Sequence, residues 1–248
     1  MSTAENAPEN VREDVRESIV IAVDGTSGSG KSSTSRGAAA RLGLRYLDTG
    51  AMFRAMTWWM LSHAVDVHDA AAVAAVADRP RIESGTDPLA PAITLDGADV
   101  ATEIRSEAVN GAVSPVSAVP QVRARLLELQ RGVIERALDG AGIVVEGRDI
   151  GSVVWPQADL KLYVTADPAA RAARRSLEEG GTDAAAVQAS LEARDKIDSG
   201  RATAPLVAAD GAVHLDTTPY TLDEVIDQVV ALAAQARTAK APQEQATS

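Results

Sequence analysis

The sequence predicts an α/β fold, a parallel sheet flanked by helices and interrupted by a small inserted subdomain that contains a β-sheet. Three observations predict it. Short β-branched runs alternate with helical stretches in the βαβ rhythm of a parallel sheet. A glycine-rich loop joins the first strand to the first helix. Turn-forming residues then break the rhythm between about 65 and 119. The 248 residues are 46% hydrophobic and 24% charged, an ordinary globular balance with enough chain for a buried core. Only 3% is aromatic, so Ala, Val, Leu and Ile must fill that core.

Residues 1–17 are polar, with five acids against two arginines, and read as a disordered lead-in. They lack the basic start and apolar run of a signal peptide. The first strand is Ser18-Ile19-Val20-Ile21-Ala22-Val23-Asp24, a run suited to burial on both faces. A helix over Lys31 to Leu42, a strand over Arg45 to Leu47 and a helix from about Ala51 to Ala64 follow. In the insert, Ala70 to Ala77 is a short helix, and Asp96-Gly97 marks a hairpin turn beside Ala92-Ile93-Thr94-Leu95. Pro120 to about Leu138 is a long helix. Gly142 to Glu146 and Leu160 to Val164 are further core strands, with helices near Pro168 to Glu179 and Ala184 to Lys196. Ala212 to Leu215 is the last strand. Thr221 and Glu224 form a capping box for a final helix whose apolar stripe is Leu222, Val225, Ile226, Val229 and Val230. Residues 237–248 read as a disordered tail, leaving 18–236 as the folded domain.

Composition excludes several classes. A net charge of −11, from 24 Lys+Arg against 35 Asp+Glu, argues against a non-specific nucleic-acid groove, which needs a basic face. With no cysteine there are no disulfides, Cys-zinc sites or thiol catalysis, which fits a reducing, cytoplasmic setting. No stretch approaches the roughly 20 apolar residues of a membrane span. His63, His68 and His214 show no ligand spacing, and Trp58 and Trp59 read as packing residues.

Gly25-Thr26-Ser27-Gly28-Ser29-Gly30-Lys31-Ser32 matches the P-loop pattern in full, between a predicted strand and a predicted helix. The glycines let backbone N–H groups turn inward around phosphate oxygens at a helix N-terminus. Lys31 reaches the β/γ-phosphates, the Ser32 hydroxyl is the candidate Mg²⁺ contact, and Ser33 continues the donor site. The sheet is therefore of the P-loop NTPase type. A switch GTPase would show Asn-Lys-x-Asp, and none of the four lysines follows an asparagine. A motor ATPase wants an apolar strand ending in a magnesium-holding acid, for which Glu146 and Asp24 are undistinguished candidates.

A kinase must bind a second anionic substrate opposite the P-loop, and arginine suits bidentate phosphate contact. Asp48-Thr49-Gly50-Ala51-Met52-Phe53-Arg54 and Glu146-Gly147-Arg148-Asp149 each follow a strand, at the sheet edge where α/β ligands bind. Both set an arginine beside a glycine and a carboxylate.

These segments, together with Arg194-Asp-Lys-Ile-Asp-Ser-Gly-Arg201-Ala-Thr-Ala-Pro-Leu206, resemble the bacterial cytidylate kinases, nucleoside monophosphate kinases, over about Ser18 to Ala236. The resemblance implies transfer from ATP to CMP or dCMP with Mg²⁺, no nucleic-acid or membrane partner, and a monomer. It makes the 65–119 segment a monophosphate-binding insert and about 168–200 a helical lid. By the same resemblance Thr49, Arg54 and Arg148 place the acceptor's 5′-phosphate. Ser114, Arg123 and Asp149 meet the cytosine, whose N4 amine wants an acceptor and whose N3 and O2 want donors. Arg194 and Asp198 are sugar contacts, and Arg201 completes the cluster. Arg171, Arg174 and Arg175, on one helical face, are lid arginines closing over the ATP phosphates, and Lys31, Arg148 and Arg174 carry the catalytic charge. A related kinase with another acceptor, such as UMP or shikimate, and a slowly hydrolysing regulator remain alternatives.

Overall fold

The structure is a computed structural model that describes residues 18–178, 181, 183–200 and 204–245. Strand β1 (Ile19–Gly25) is apolar because both its faces are covered. Val20 and Ala22 point to one core, and Ile19, Ile21 and Val23 to the other. It pairs in parallel with β6 (Gly142–Glu146) and β7 (Leu160–Thr165), in register Ile21 to Val144 and Val23 to Leu162. Strands β2 (Arg45–Asp48) and β8 (Val213–Asp216) complete a five-stranded parallel sheet in the order β2-β6-β1-β7-β8. Strand β6 therefore lies between β1 and β2, although it follows them by about a hundred residues. This crossover brings the loops after β1, β2 and β6 together at one edge.

Helices α1 (Lys31–Leu42) and α8 (Leu222–Gln245) cover one face, where Val225 and Val229 of α8 share a core with Ile19, Ile21 and Leu162 of the sheet. The capping box closes the start of α8: Thr221 N–H donates to Glu224 at 2.8 Å, and Glu224 N–H donates to the Thr221 hydroxyl at 3.4 Å. Where a disordered tail is expected from Arg237, α8 instead continues to Gln245. Lys240 holds it against the start of the sheet, 3.0 Å from Asp159 and donating to the Ser18 carbonyl at 2.9 Å.

The other face carries α2 (Thr49–Ser62), α5 (Pro120–Leu138) and the segment between them. That segment contains α3 (Ala70–Ala74) and an antiparallel sheet of β3 (Ile82–Ser84), β4 (Ile93–Leu95) and β5 (Ala98–Asp99). Asp96-Gly97 turns β4 into β5 as the dipeptide predicts. A 3₁₀ turn (Glu103–Arg105) and helix α4 (Glu107–Ala118) are additions the sequence reading lacks. Pro115 sits inside α4. The helix persists because Ser106 caps it and Val109, Ala112, Val113 and Val116 form a buried stripe. The insert shares one continuous core with α2, α5 and the sheet, with Trp59 buried in it and its indole N–H on Asp96 at 3.0 Å. Helices α6 (Pro168–Glu178) and α7 (Ala184–Gly200) pack on each other beside the P-loop.

Candidate functional site

The parallel strands end in Gly25, Asp48 and Glu146, and their loops line one cleft of about 1360 Å³. The volume exceeds the usual range for one small ligand and suits two. Its floor is the P-loop. Gly25 has φ +144°, and a Cβ there would lie 1.9 Å from the Val164 carbonyl oxygen, so only glycine lets β7 pass this close. From Ser27 through Thr34 the loop and the first turn of α1 line the cleft. Lys31 folds back to donate to the Thr26 carbonyl at 2.7 Å. Burial, then the neighbouring Arg148, hold its ammonium below the usual lysine range, while Glu146 and Asp195 oppose that shift. An arriving phosphate would add to the opposing charges and keep Lys31 cationic.

Glu146 is buried at the end of β6 and accepts from the Tyr46 hydroxyl at 2.7 Å. Its second oxygen has no hydrogen-bond partner. Burial, then the charge of Asp48, push its carboxyl upward. An orphaned buried carboxylate oxygen beside the exposed Ser32 in the first turn of α1 is a hard, oxygen-only donor set that fits Mg²⁺. Among the described residues no three His, Cys, Asp or Glu side chains cluster as ligands, so these residues suit an ion that keeps water and phosphate oxygens. Asp24, the other acid considered from sequence, is committed elsewhere. It accepts the N–H groups of Ile150 at 2.7 Å and Gly151 at 2.8 Å, tying the P-loop strand to the π-helical turn Ile150–Val154. Burial pushes Asp24 up to about 6 despite those two bonds.

The predicted acceptor residues gather on the opposite wall. Thr49, at the start of α2, donates to the Glu146 carbonyl at 2.7 Å. Arg54 donates to Asn110 on α4 and to the Ile104 carbonyl. Ser114 lies on α4 and lines the cleft. Arg123 of α5 is paired with Asp149, and its guanidinium lies 5.5 Å from the centre of the Phe53 ring. Both partners are largely buried, so the pair is a fixed combination of donors and acceptor. Arg148 donates to the Gly25 carbonyl and the Ser27 hydroxyl and lies 3.2 Å from Asp198. Arg194 lines the cleft beside Asp198, its pKa lowered by burial and then by Arg148.

The three arginines expected in the lid part company. Arg174 donates twice to Thr217, by side chain and carbonyl at 2.8 Å each, and Arg175 also lines the cleft. Arg171 does not. It is buried and donates to the Ser27 carbonyl at 3.0 Å and to Asp195, so it is built into the P-loop's support. Arg201 lies outside the described residues. Sequence reasoning missed Asp195, Asn110 and Thr217. Asp195 had a signal, its place between Arg194 and Asp198 in a mixed-charge run, whereas the other two are neutral partners found only by folding.

No described helix is long and apolar enough to cross a membrane. The family model described as cytidylate kinase matches residues 21–235. A protein named cytidylate kinase from Streptomyces avermitilis is 56% identical over 222 residues, covering 90% of this chain and 95% of its own length. Its namesake from Streptomyces griseus subsp. griseus is 55% identical, covering 89% and 94%. One from Nocardia farcinica is 52% identical, covering 88% and 94%.

Proposed function

This chain belongs to the cytidylate kinase family and is a nucleoside monophosphate kinase that moves a phosphoryl group from ATP to CMP or dCMP; we propose how its residues divide that work. The P-loop, Gly25 to Ser33, holds the ATP phosphates, with Lys31 on the transferred group and Arg174 and Arg175 approaching from the lid. Thr49, Arg54 and Arg148 hold the acceptor's 5′-phosphate. Asp149 accepts from the cytosine amine while Arg123 and Ser114 face N3 and O2. Arg194 and Asp198 take the sugar. Ser32 and Glu146 would hold Mg²⁺, which when bound neutralises charge on the phosphates.

An oxygen of the acceptor phosphate is already an anionic nucleophile, so no general base is needed. The bond from that oxygen to the γ-phosphorus forms as the bond to the β-bridging oxygen breaks, giving ADP and CDP. Charge spreads over the transferred oxygens, and the protein acts by alignment and cationic stabilisation. Water must be kept out. Leu177 on α6 and Ile197 on α7 are exposed apolar side chains lining the cleft, and closing the lid on the nucleotides would bury them.

The observation that carries this reading is the meeting, in one cleft, of the P-loop lysine with the buried Arg123–Asp149 pair. A compound joining adenosine and cytidine through five phosphates tests it, because it must span both subsites. It is expected to bind once per chain and to inhibit competitively against both ATP and CMP. Competition against only one substrate contradicts a shared cleft.

A further inference from the structure

Ser27 lies inside the P-loop, and each of its polar groups is taken by a different part of the chain. Its N–H donates to Asp195 at 3.0 Å. Its carbonyl accepts from Arg171 at 3.0 Å, and its hydroxyl accepts from Arg148. Asp195 closes the circuit: its other oxygen accepts from the same Arg171, and Arg148 lies 3.7 Å away. One carboxylate therefore joins the donor loop, lid helix α6, its own helix α7 and the loop bearing Arg148.

Resting on the reading above, we propose that Asp195 is a positioning residue for phosphoryl transfer, latching the lid helices onto Ser27 and keeping Arg148 aligned with the donor loop. It does not line the cleft and so acts through its partners. A carboxylate is suited to this place for two reasons. One oxygen can accept a backbone N–H while the other accepts a guanidinium. Its charge also offsets the crowd of Lys31, Arg148, Arg171 and Arg194, which would otherwise repel one another before any phosphate arrives. Consistently, Asp195 is among the charges that favour the cationic forms of Lys31 and Arg194. Its side chain is 14% exposed, enough burial for that charge to act with little solvent screening.

The test is steady-state kinetics of Asp195→Ala and Asp195→Asn beside the wild type, with thermal unfolding of each. Loss of alignment predicts that kcat of Asp195→Ala falls about a hundredfold. KM for ATP and CMP should stay within about threefold, because no substrate contact is removed. Asp195→Asn keeps an acceptor for Ser27 N–H and should regain part of kcat. Because Arg171 and Asp195 act as one unit, Arg171→Ala combined with Asp195→Ala should lose no more than the worse single variant. Wild-type kcat in Asp195→Ala, a loss carried only in KM, or fully multiplicative losses in the double variant would each overturn the proposal. If Asp195→Ala does not fold, Asp195→Asn decides: reduced kcat at unchanged KM supports the latch, and wild-type kinetics refutes it. The same assay keeps the two readings apart. A wild type without CMP-dependent ADP release overturns the site assignment, whereas an active wild type matched by its Asp195 variants overturns the latch alone.

Discussion

The hydroxyl of Tyr46 donates to Glu146 at 2.7 Å across neighbouring strands β2 and β6, with both residues buried at the end of the sheet that opens on the P-loop. The bond fixes one carboxylate oxygen and leaves the other without a partner. It also opposes the effect of burial, which pushes the Glu146 carboxyl upward.

Tyr46→Phe should therefore raise the Glu146 pKa further and move the acid limb of kcat to higher pH. The Mg²⁺ concentration for half-maximal activity should rise with it, more at pH 6.5 than at pH 8.5. Losing a buried bond to a charged group costs about 2 kcal/mol, so the fold should survive. An unchanged Mg²⁺ dependence across that range would remove Glu146 from the metal site.

Asp24 gives a pH dependence of stability with a definite sign. Burial lifts its folded pKa to about 6 from the ordinary 3.8, so between those values the folded state holds more protons than the unfolded. Its contribution is full below pH 3.8 and is lost as pH rises through about 6. Relative to Asp24→Asn, whose side chain does not titrate, the wild type should lose about 2 kcal/mol between pH 4 and pH 7. Denaturant unfolding of both proteins at the two pH values measures it. A difference that stays constant contradicts the buried, raised carboxyl.

Arg148 should matter to activity far more than to stability. Arg148→Ala is expected to lower kcat/KM about a thousandfold, as for other groups that stabilise transition-state charge. Its melting temperature should fall by less than about 5 °C. Arg148→Lys keeps the charge without the planar fork and should stay within about tenfold of the alanine variant. A coupled ADP assay and a thermal melt separate the two effects; a variant that merely unfolds would deny Arg148 its phosphate.

A side chain at Gly147 would push on its neighbours. A Cβ there would lie 2.7 Å from the Thr49 hydroxyl oxygen and 2.6 Å from the end of Ile150. Gly147→Ala should displace Thr49 and raise KM for CMP about tenfold, leaving KM for ATP near its wild-type value. Equal rises in both would place the damage in the sheet instead of the acceptor wall.

Legibility in the sequence followed how local each signal was. The strands and the P-loop could be read because β-branched runs and glycine spacing need no tertiary partner. Helix α4 was obscured although its stripe Val109, Ala112, Val113, Val116 is present, because Gly111 and Pro115 read as breakers and burial overrides them. The far part of α8 is held by Lys240 donating to the Ser18 carbonyl, 222 residues away in the sequence. The spacing of Arg171, Arg174 and Arg175 places them on one face but does not say which will turn under the P-loop. That depends on Ser27 and Asp195, which only the fold brings near. The net charge of −11 likewise concealed the site. Outside the terminal segments, 18–236 still carries −9, while the cleft itself is lined, among the described residues, by eight Lys and Arg against five Asp and Glu.

The most direct test is the initial rate of ADP release at saturating ATP and Mg²⁺ with CMP, dCMP, UMP, AMP and shikimate in turn. With Asp149 accepting from the cytosine amine, as proposed, the O4 of uracil would face a carboxylate with no proton to share. The account predicts rapid release with CMP or dCMP and a rate at least about a hundredfold lower with the others. Equal rates with UMP, or release that does not depend on any acceptor, would contradict it.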